Sequence, residues 1–257
     1  MINGKDSQST FYVLDKKNDI PIVFIHGVGL NHEIWEPQIN VFENTFLAYD
    51  ILGHGKTPLN NKSINFDDFS NQLKNLIDEL DMQKIHLVGF SIGSLIARNF
   101  ASKYSDRLES LILLCSIFKR TEKQQQIVKD RFELAKKSKI LSKQALKRWF
   151  TDDYLEKNPN TYNKISSILE QNNVENFLKV YELFVNHKDD EKFENIKTKT
   201  LVMTGEGDIG STPEMSENLS KAINNSKVKI ISKGKHLCSI ECADDVNMSI
   251  KKHIQND

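Results

Sequence analysis

Cysteine is scarce, with 3 thiols (Cys115, Cys238 and Cys242) in 257 residues. So few cannot build a disulfide framework, and reduced thiols in a cytoplasmic protein are the expectation. Cys238 and Cys242 lie close to His236, but no second ligand pair stands at zinc spacing, so no metal is expected. Excess charge is missing too, since 35 Lys plus Arg balance 35 Asp plus Glu. Net charge therefore gives no reason to expect nucleic acid or an anionic membrane as a partner. Long hydrophobic runs are also absent. The longest apolar stretch, near 111–118, is far too short to span a bilayer, and the polar opening Met1-Ile2-Asn3-Gly4-Lys5-Asp6 lacks the apolar core of a signal peptide.

What is present is alternation. Short apolar runs at 11–14, 22–25, 46–50, 85–90 and 111–115 read as strands, and helical patterns occupy 67–80 and 94–104. That α/β order implies a mainly parallel central sheet with helices on both faces. From 119 to about 195 the sequence turns charged and helix-prone. Apolar residues such as Ile127, Phe132, Leu146, Trp149 and Phe150 stand at helical spacing there, and Asn158-Pro159-Asn160 marks a break. Strands return at 200–204 and 228–231, with helices at 213–223 and 244–254. The expected organisation is a first core segment 1–118, a helical cap insertion 119–195 and a second core segment 196–257.

The most informative motif is Gly89-Phe90-Ser91-Ile92-Gly93, directly after the strand at 85–90 and directly before a helix. A serine on so sharp a strand-to-helix turn is pushed above the sheet edge, and the backbones beside it come so close that glycine must flank it. Ser91 is therefore the candidate nucleophile. Its hydroxyl needs a base, and the base needs a group to fix its tautomer and charge. In an open parallel sheet such groups belong on loops leaving the carboxyl ends of strands. Asp208 follows the strand at 200–204 in Gly205-Glu206-Gly207-Asp208, and His236 follows the last strand in Lys233-Gly234-Lys235-His236. Glu206 is the nearest rival acid, one step earlier. Asp208 also reads as a turn aspartate and His236 as a loop histidine, and the agreement of three placements favours the catalytic reading. His26 and His54 sit in glycine turns and read as structural hydrogen-bonders. Oxyanion donors are expected from the backbone N–H of Ile92 and, in His26-Gly27-Val28-Gly29, of Val28. With His236 as base, activity is expected to rise through about pH 6–7.

Taken together, His26-Gly27-Val28-Gly29, Tyr49-Asp50-Ile51-Leu52-Gly53-His54-Gly55, the Ser91 pentapeptide, Gly205-Glu206-Gly207-Asp208 and Gly234-Lys235-His236 make the chain resemble the α/β-hydrolase fold superfamily over nearly its whole length. Within it, the stretch from His26 to Trp35 and Arg148-Trp149-Phe150-Thr151 resemble 3-oxoadipate enol-lactonases and their esterase relatives. Leu52, where arginine is expected in the enol-lactonases, and Ser94, in place of a frequent glycine, depart from that pattern. The resemblance implies acyl-enzyme hydrolysis of a small ester or lactone, no cofactor, and a cap closing the pocket. A homodimer is compatible with it. Arg148 and Trp149 are candidate substrate contacts, since guanidinium suits a carboxylate; the plainer reading puts Trp149 in a cap-helix core and Arg148 on its solvent face. Rival readings are carbon–carbon bond hydrolysis, acyl transfer or perhydrolysis on the same triad, and a ligand-binding receptor with slow or no catalysis.

Overall fold

The computed structural model describes residues 1–60, 63–137 and 141–255, so positions 138–140 of the expected insertion and 256–257 of the closing segment lie outside it. Among the described residues, strands β1 (Ile2–Lys5), β2 (Phe11–Asp15), β3 (Ile22–Ile25), β4 (Phe46–Tyr49), β5 (Ile85–Phe90), β6 (Leu108–Leu114), β7 (Thr200–Gly205) and β8 (Ser226–Ile231) form one sheet. Their order is β1-β2-β4-β3-β5-β6-β7-β8. The pairings of β2 with β1 and β4 are antiparallel and the rest are parallel. Ile25 registers with Gly89 and Leu114 with Met203, so the carboxyl ends of the parallel strands line one edge.

Helices cover both faces. They are α1 (Glu36–Ile39), α2 (Phe66–Glu79), α3 (Ile92–Lys103), α4 (Glu122–Lys137), α5 (Leu141–Trp149), α6 (Asp152–Lys157), α7 (Pro159–Glu170), α8 (Val174–Val185), α9 (Pro213–Ala222), α10 (Cys238–Glu241) and α11 (Ala243–Gln255). The period-2 alternation of strand side chains divides the core in two. Val23, Ile25, Leu47 and Tyr49 pack with Phe69 and Leu73 of α2 and Leu95 and Phe100 of α3. Ile22, Phe24, Phe46 and Ala48 pack with Trp35 and with Val246 and Ile250 of α11. A strand buried on both faces reads as a continuous apolar run, which is why β3 and β5 were legible.

Between β6 and β7 the chain runs through α4 to α8. Of Asn158-Pro159-Asn160, Asn158 separates α6 from α7, and the proline opens the first turn of α7, where its missing N–H is harmless. Leu146 and Ile165 of these helices, with Phe150 just after α5, join the second core cluster, while Val128, Phe132 and Val185 form a small cluster between α4 and α8. No described helix is long and apolar enough to cross a membrane.

The sheet edges depart from the sequence expectation. β1 was not expected at all, and β8 begins at Ser226 rather than 228. Both are edge strands with exposed positions, Ile2, Lys227 and Lys229 among them, so neither carries a buried run to announce it. β6 starts at Leu108 and ends before Cys115, whose backbone turns to φ 53° and leaves the ladder.

Candidate active site

The turn after β5 places Ser91 as the residue preceding α3, at φ 55° and ψ −119°. Non-glycine residues rarely hold a positive φ, and here the surroundings impose it. A Cβ on Gly89 would strike the carbonyl of Gly93, and one on Gly93 would strike the carbonyls of Ile25 and His26. The Ser91 N–H is anchored to the Leu114 carbonyl at 2.9 Å. Strand and helix therefore close on each other, and the hydroxyl is held above the sheet edge.

Asp208 and His236 arrive from the neighbouring strand ends. His236 Nε2 lies 3.3 Å from Ser91 Oγ, and His236 Nδ1 lies 2.6 Å from Asp208 Oδ2. Asp208 is buried, and its Oδ1 accepts from the Gly210 and Ser211 N–H groups at 2.8 and 3.0 Å. Burial opposes its ionisation, yet the charge and hydrogen bond of His236 and these two amides hold its carboxyl below the usual carboxylate range. The same pairing acts on the imidazole. Burial pulls its pKa down, but the Asp208 carboxylate outweighs it and raises the pKa above the usual 6.5. Phe90 and Trp149 flank the ring, with centroids 5.0 and 6.2 Å away. Glu206, the rival acid, is exposed and accepts instead from the N–H of Lys233 at 3.1 Å.

Opposite the serine, the loop after β3 is pinned by two histidines. The Ile51 N–H donates to His26 Nε2 at 3.1 Å, and the Gly29 N–H to His54 Nε2 at 2.8 Å. Burial pushes these imidazoles down to about 4 and about 3, so they stay neutral and accept. Asp50, fully buried, takes the His32 N–H and Nδ1 at 2.8 and 2.7 Å and the Lys56 N–H at 2.8 Å, tying two site loops together. Asp50 lies in the Tyr49–Gly55 motif, where nothing in the neighbouring residues announces this role. Among the described residues the Val28 and Ile92 N–H groups donate to no protein acceptor, whereas those of Gly29 and Leu30 do.

Ser91, Asp208 and His236 open into a cavity of about 1070 Å³, which Val28, Arg148 and Trp149 also line. Arg148 is half-buried rather than on an outer face, with Nη1 donating to the Gln144 carbonyl at 2.9 Å. Arg120, Arg131 and Tyr181 share that wall and were not singled out from sequence. As for metal-binding groups, Cys115, Asp208 and His236 each bring a ligand atom within 4.8 Å of the others. Both imidazole nitrogens are already engaged by Asp208 and Ser91, and burial keeps the Cys115 thiol protonated, so the set suits a proton relay better than a cation. Cys242 Sγ points elsewhere, toward the Ser232 carbonyl.

Comparison with known proteins gives a consistent picture. The family model described as alpha/beta hydrolase fold matches residues 20–242. The (E)-2-((N-methylformamido)methylene)succinate hydrolase of Acinetobacter baylyi is 25% identical over 252 residues, covering 96% of this chain and 94% of that protein. The 3-oxoadipate enol-lactonase 2 of the same organism is 23% identical over 234 residues, covering 90% of this chain and 86% of that protein. Among solved structures, the enol-lactonase from Burkholderia xenovorans superposes with a TM-score of 0.87 at 23% identity, covering 96% of this chain and 97% of that one.

Proposed function

The chain belongs to the alpha/beta hydrolase fold family, and from that premise we propose that it hydrolyses a small carboxylic ester or lactone through an acyl-enzyme on Ser91. The observation that carries this reading is the unbroken contact chain from Ser91 Oγ through His236 to Asp208, at 3.3 and 2.6 Å. His236 takes the hydroxyl proton as Ser91 attacks the carbonyl, and Asp208 fixes the ring tautomer and stabilises the imidazolium. The Val28 and Ile92 N–H groups receive the oxyanion, a role that fits their lack of protein acceptors. His236 then returns the proton to the leaving oxygen. Water, deprotonated by the same imidazole, attacks the acyl-serine, and as the acyl–oxygen bond breaks the imidazolium returns its proton to Ser91 Oγ and the acid leaves. Every step uses groups of the chain and water. The relatives' names, a lactonase and a hydrolase of a succinate derivative, support carboxylic substrates of modest size. Arg148 and Trp149 contact the substrate from the insertion. Three free thiols are in keeping with a reducing, cytoplasmic setting.

The test is direct. A fluorophosphonate probe should label Ser91 in the wild type, and Ser91→Ala should lose about 10⁴-fold or more of p-nitrophenyl acetate turnover while keeping its melting temperature. Full activity in Ser91→Ala would overturn the reading.

A further inference from the structure

The wall of the cavity facing away from the sheet is unusually cationic. Arg120 just before α4, Arg131 on α4 and Arg148 on α5 all line it, with Tyr181 of α8 among them. The three come from separate parts of the chain, and the charge of each is felt at the Tyr181 phenol. Arginines elsewhere in the protein are neutralised: Arg98 has carboxylate oxygens at 2.6 and 2.7 Å, and Arg107 has one at 2.7 Å. Here the pattern differs. Arg120 Nη1 donates to the carbonyls of Phe184 and Val185 at 3.1 and 3.3 Å, and its guanidinium lies over the Phe184 ring. Arg148 donates to a carbonyl of its own helix, and the Arg131 guanidinium makes no hydrogen bond among the described residues. The carboxylates among the cavity's described lining residues are Asp208, held by His236, and the exposed Glu170.

Clustered cations half out of water, with no carboxylate hydrogen-bonded to them among the described residues, work against folding unless something else uses them. The electrostatics bear the mark of this. Burial, only partly offset by Asp189 and Tyr181 and aggravated by Arg131, pulls Arg120 down to about 10. Burial and the charge of Arg131 lower Arg148 as well. Three guanidiniums and a phenolic hydroxyl supply many more donors than one carboxylate can take up, and their planar forks match carboxylate or phosphate oxygens. The cavity, at about 1070 Å³, also exceeds what a simple acetate-sized ester would fill.

We propose that Arg120, Arg131 and Arg148, which line the cavity together with Tyr181, form an anion subsite, and that the substrate carries at least two negative charges remote from the bond that is cleaved. The inference rests on the reading of Ser91 as the nucleophile of this cavity. Two sources offer such a dianion, an acyl or alcohol moiety that bears two free carboxylates and a phosphate monoester.

Calorimetric titration of the wild-type protein with glutarate, inorganic phosphate and butyrate tests it. Glutarate or phosphate should bind about ten-fold or more tightly than butyrate, weakening as salt is added. Tighter glutarate assigns a dicarboxylate, and tighter phosphate assigns a phosphorylated substrate. The preference should vanish in Arg131→Gln and in Arg148→Gln, each checked by its melting curve. Equal affinity for the three anions in the wild type overturns the subsite, as does a preference unchanged in either folded variant. Fluorophosphonate labelling separates the two levels. An unlabelled Ser91 sinks the hydrolase reading even if dianions bind, whereas a labelled Ser91 with no dianion preference sinks only the subsite.

Discussion

Two kinds of imidazole stand within the site, and their neighbours decide which kind each is. His26 and His54 are enclosed by backbone and held neutral by burial. His236 is mostly buried too, but it has a carboxylate 2.6 Å from Nδ1 that stabilises its protonated form. The sign of the consequence is definite. A raised pKa means that the neutral, base-competent imidazole becomes dominant only at higher pH. The rise expected from an unperturbed histidine at about pH 6–7 therefore moves upward, and kcat/KM for a small ester should increase with an inflection above 6.5. A pH–rate profile from about 5 to 10 checks this, provided that chemistry limits the rate. An inflection at or below the ordinary histidine value would mean that Asp208 does not act on the imidazole in solution.

The elements depend on their ends. β5 and α3 meet with no room for a side chain at Gly89 or Gly93, and the atoms a methyl group would meet are backbone, which cannot swing aside. Gly93→Ala should accordingly destabilise the protein by about 1–3 kcal/mol, as overpacking of a tight interface does, and should move Ser91 out of line with His236. Urea unfolding together with fluorophosphonate labelling measures both effects, and a variant with the wild-type midpoint and labelling rate would refute the steric account. α9 shows the opposite case, a helix start written locally. Thr212 accepts from the Met215 N–H, and Pro213 occupies the first turn. The edge strands β1 and β8 carry no comparable signal, because a strand with half its surface in water tolerates lysine where a central strand does not.

At the scale of the molecule, one buried side chain joins the helical insertion to the sheet. Arg98, fully buried on the same helix that begins after Ser91, donates to the Ile117 carbonyl at 2.7 Å, where the chain leaves for the insertion. It also pairs with Asp189 and Glu191, at 2.6 and 2.7 Å, where the chain returns. The Lys119 N–H closes the link to Asp189 at 2.7 Å. Burial opposes the charge on Asp189, yet His187, 3.5 Å away, and the charge of Arg98 hold its carboxyl well below the usual range. Because that pKa is depressed in the folded state, its stabilising contribution is present above the unfolded value of about 3.9 and fades as pH falls below it. Arg98→Met would leave two buried carboxylates unpaired. It should lose about 3–5 kcal/mol near neutral pH, exchange amides faster at 117–119 and 187–191, and recover part of the deficit in acid, where the carboxylates protonate. Melting curves at pH 7 and near pH 4 with hydrogen exchange test this, and a variant as stable as the wild type at neutral pH would dismiss the clamp.

The strands other than β1, the turn that carries Ser91 and the loops that carry Asp208 and His236 were legible in the chain. Each is written in adjacent residues: a run apolar at every position, glycines where backbones touch, an acid or a histidine just past a strand end. Asp50 binding two loops, Arg98 holding both crossings of the insertion, and three arginines lining one cavity with Tyr181 were not. Their partners lie on helices and loops far apart along the chain. Helical spacing tells which residues share one face, but not which other face it will meet. Packing alone chose those encounters, and with them the upward shift of His236 and the charge of the cavity.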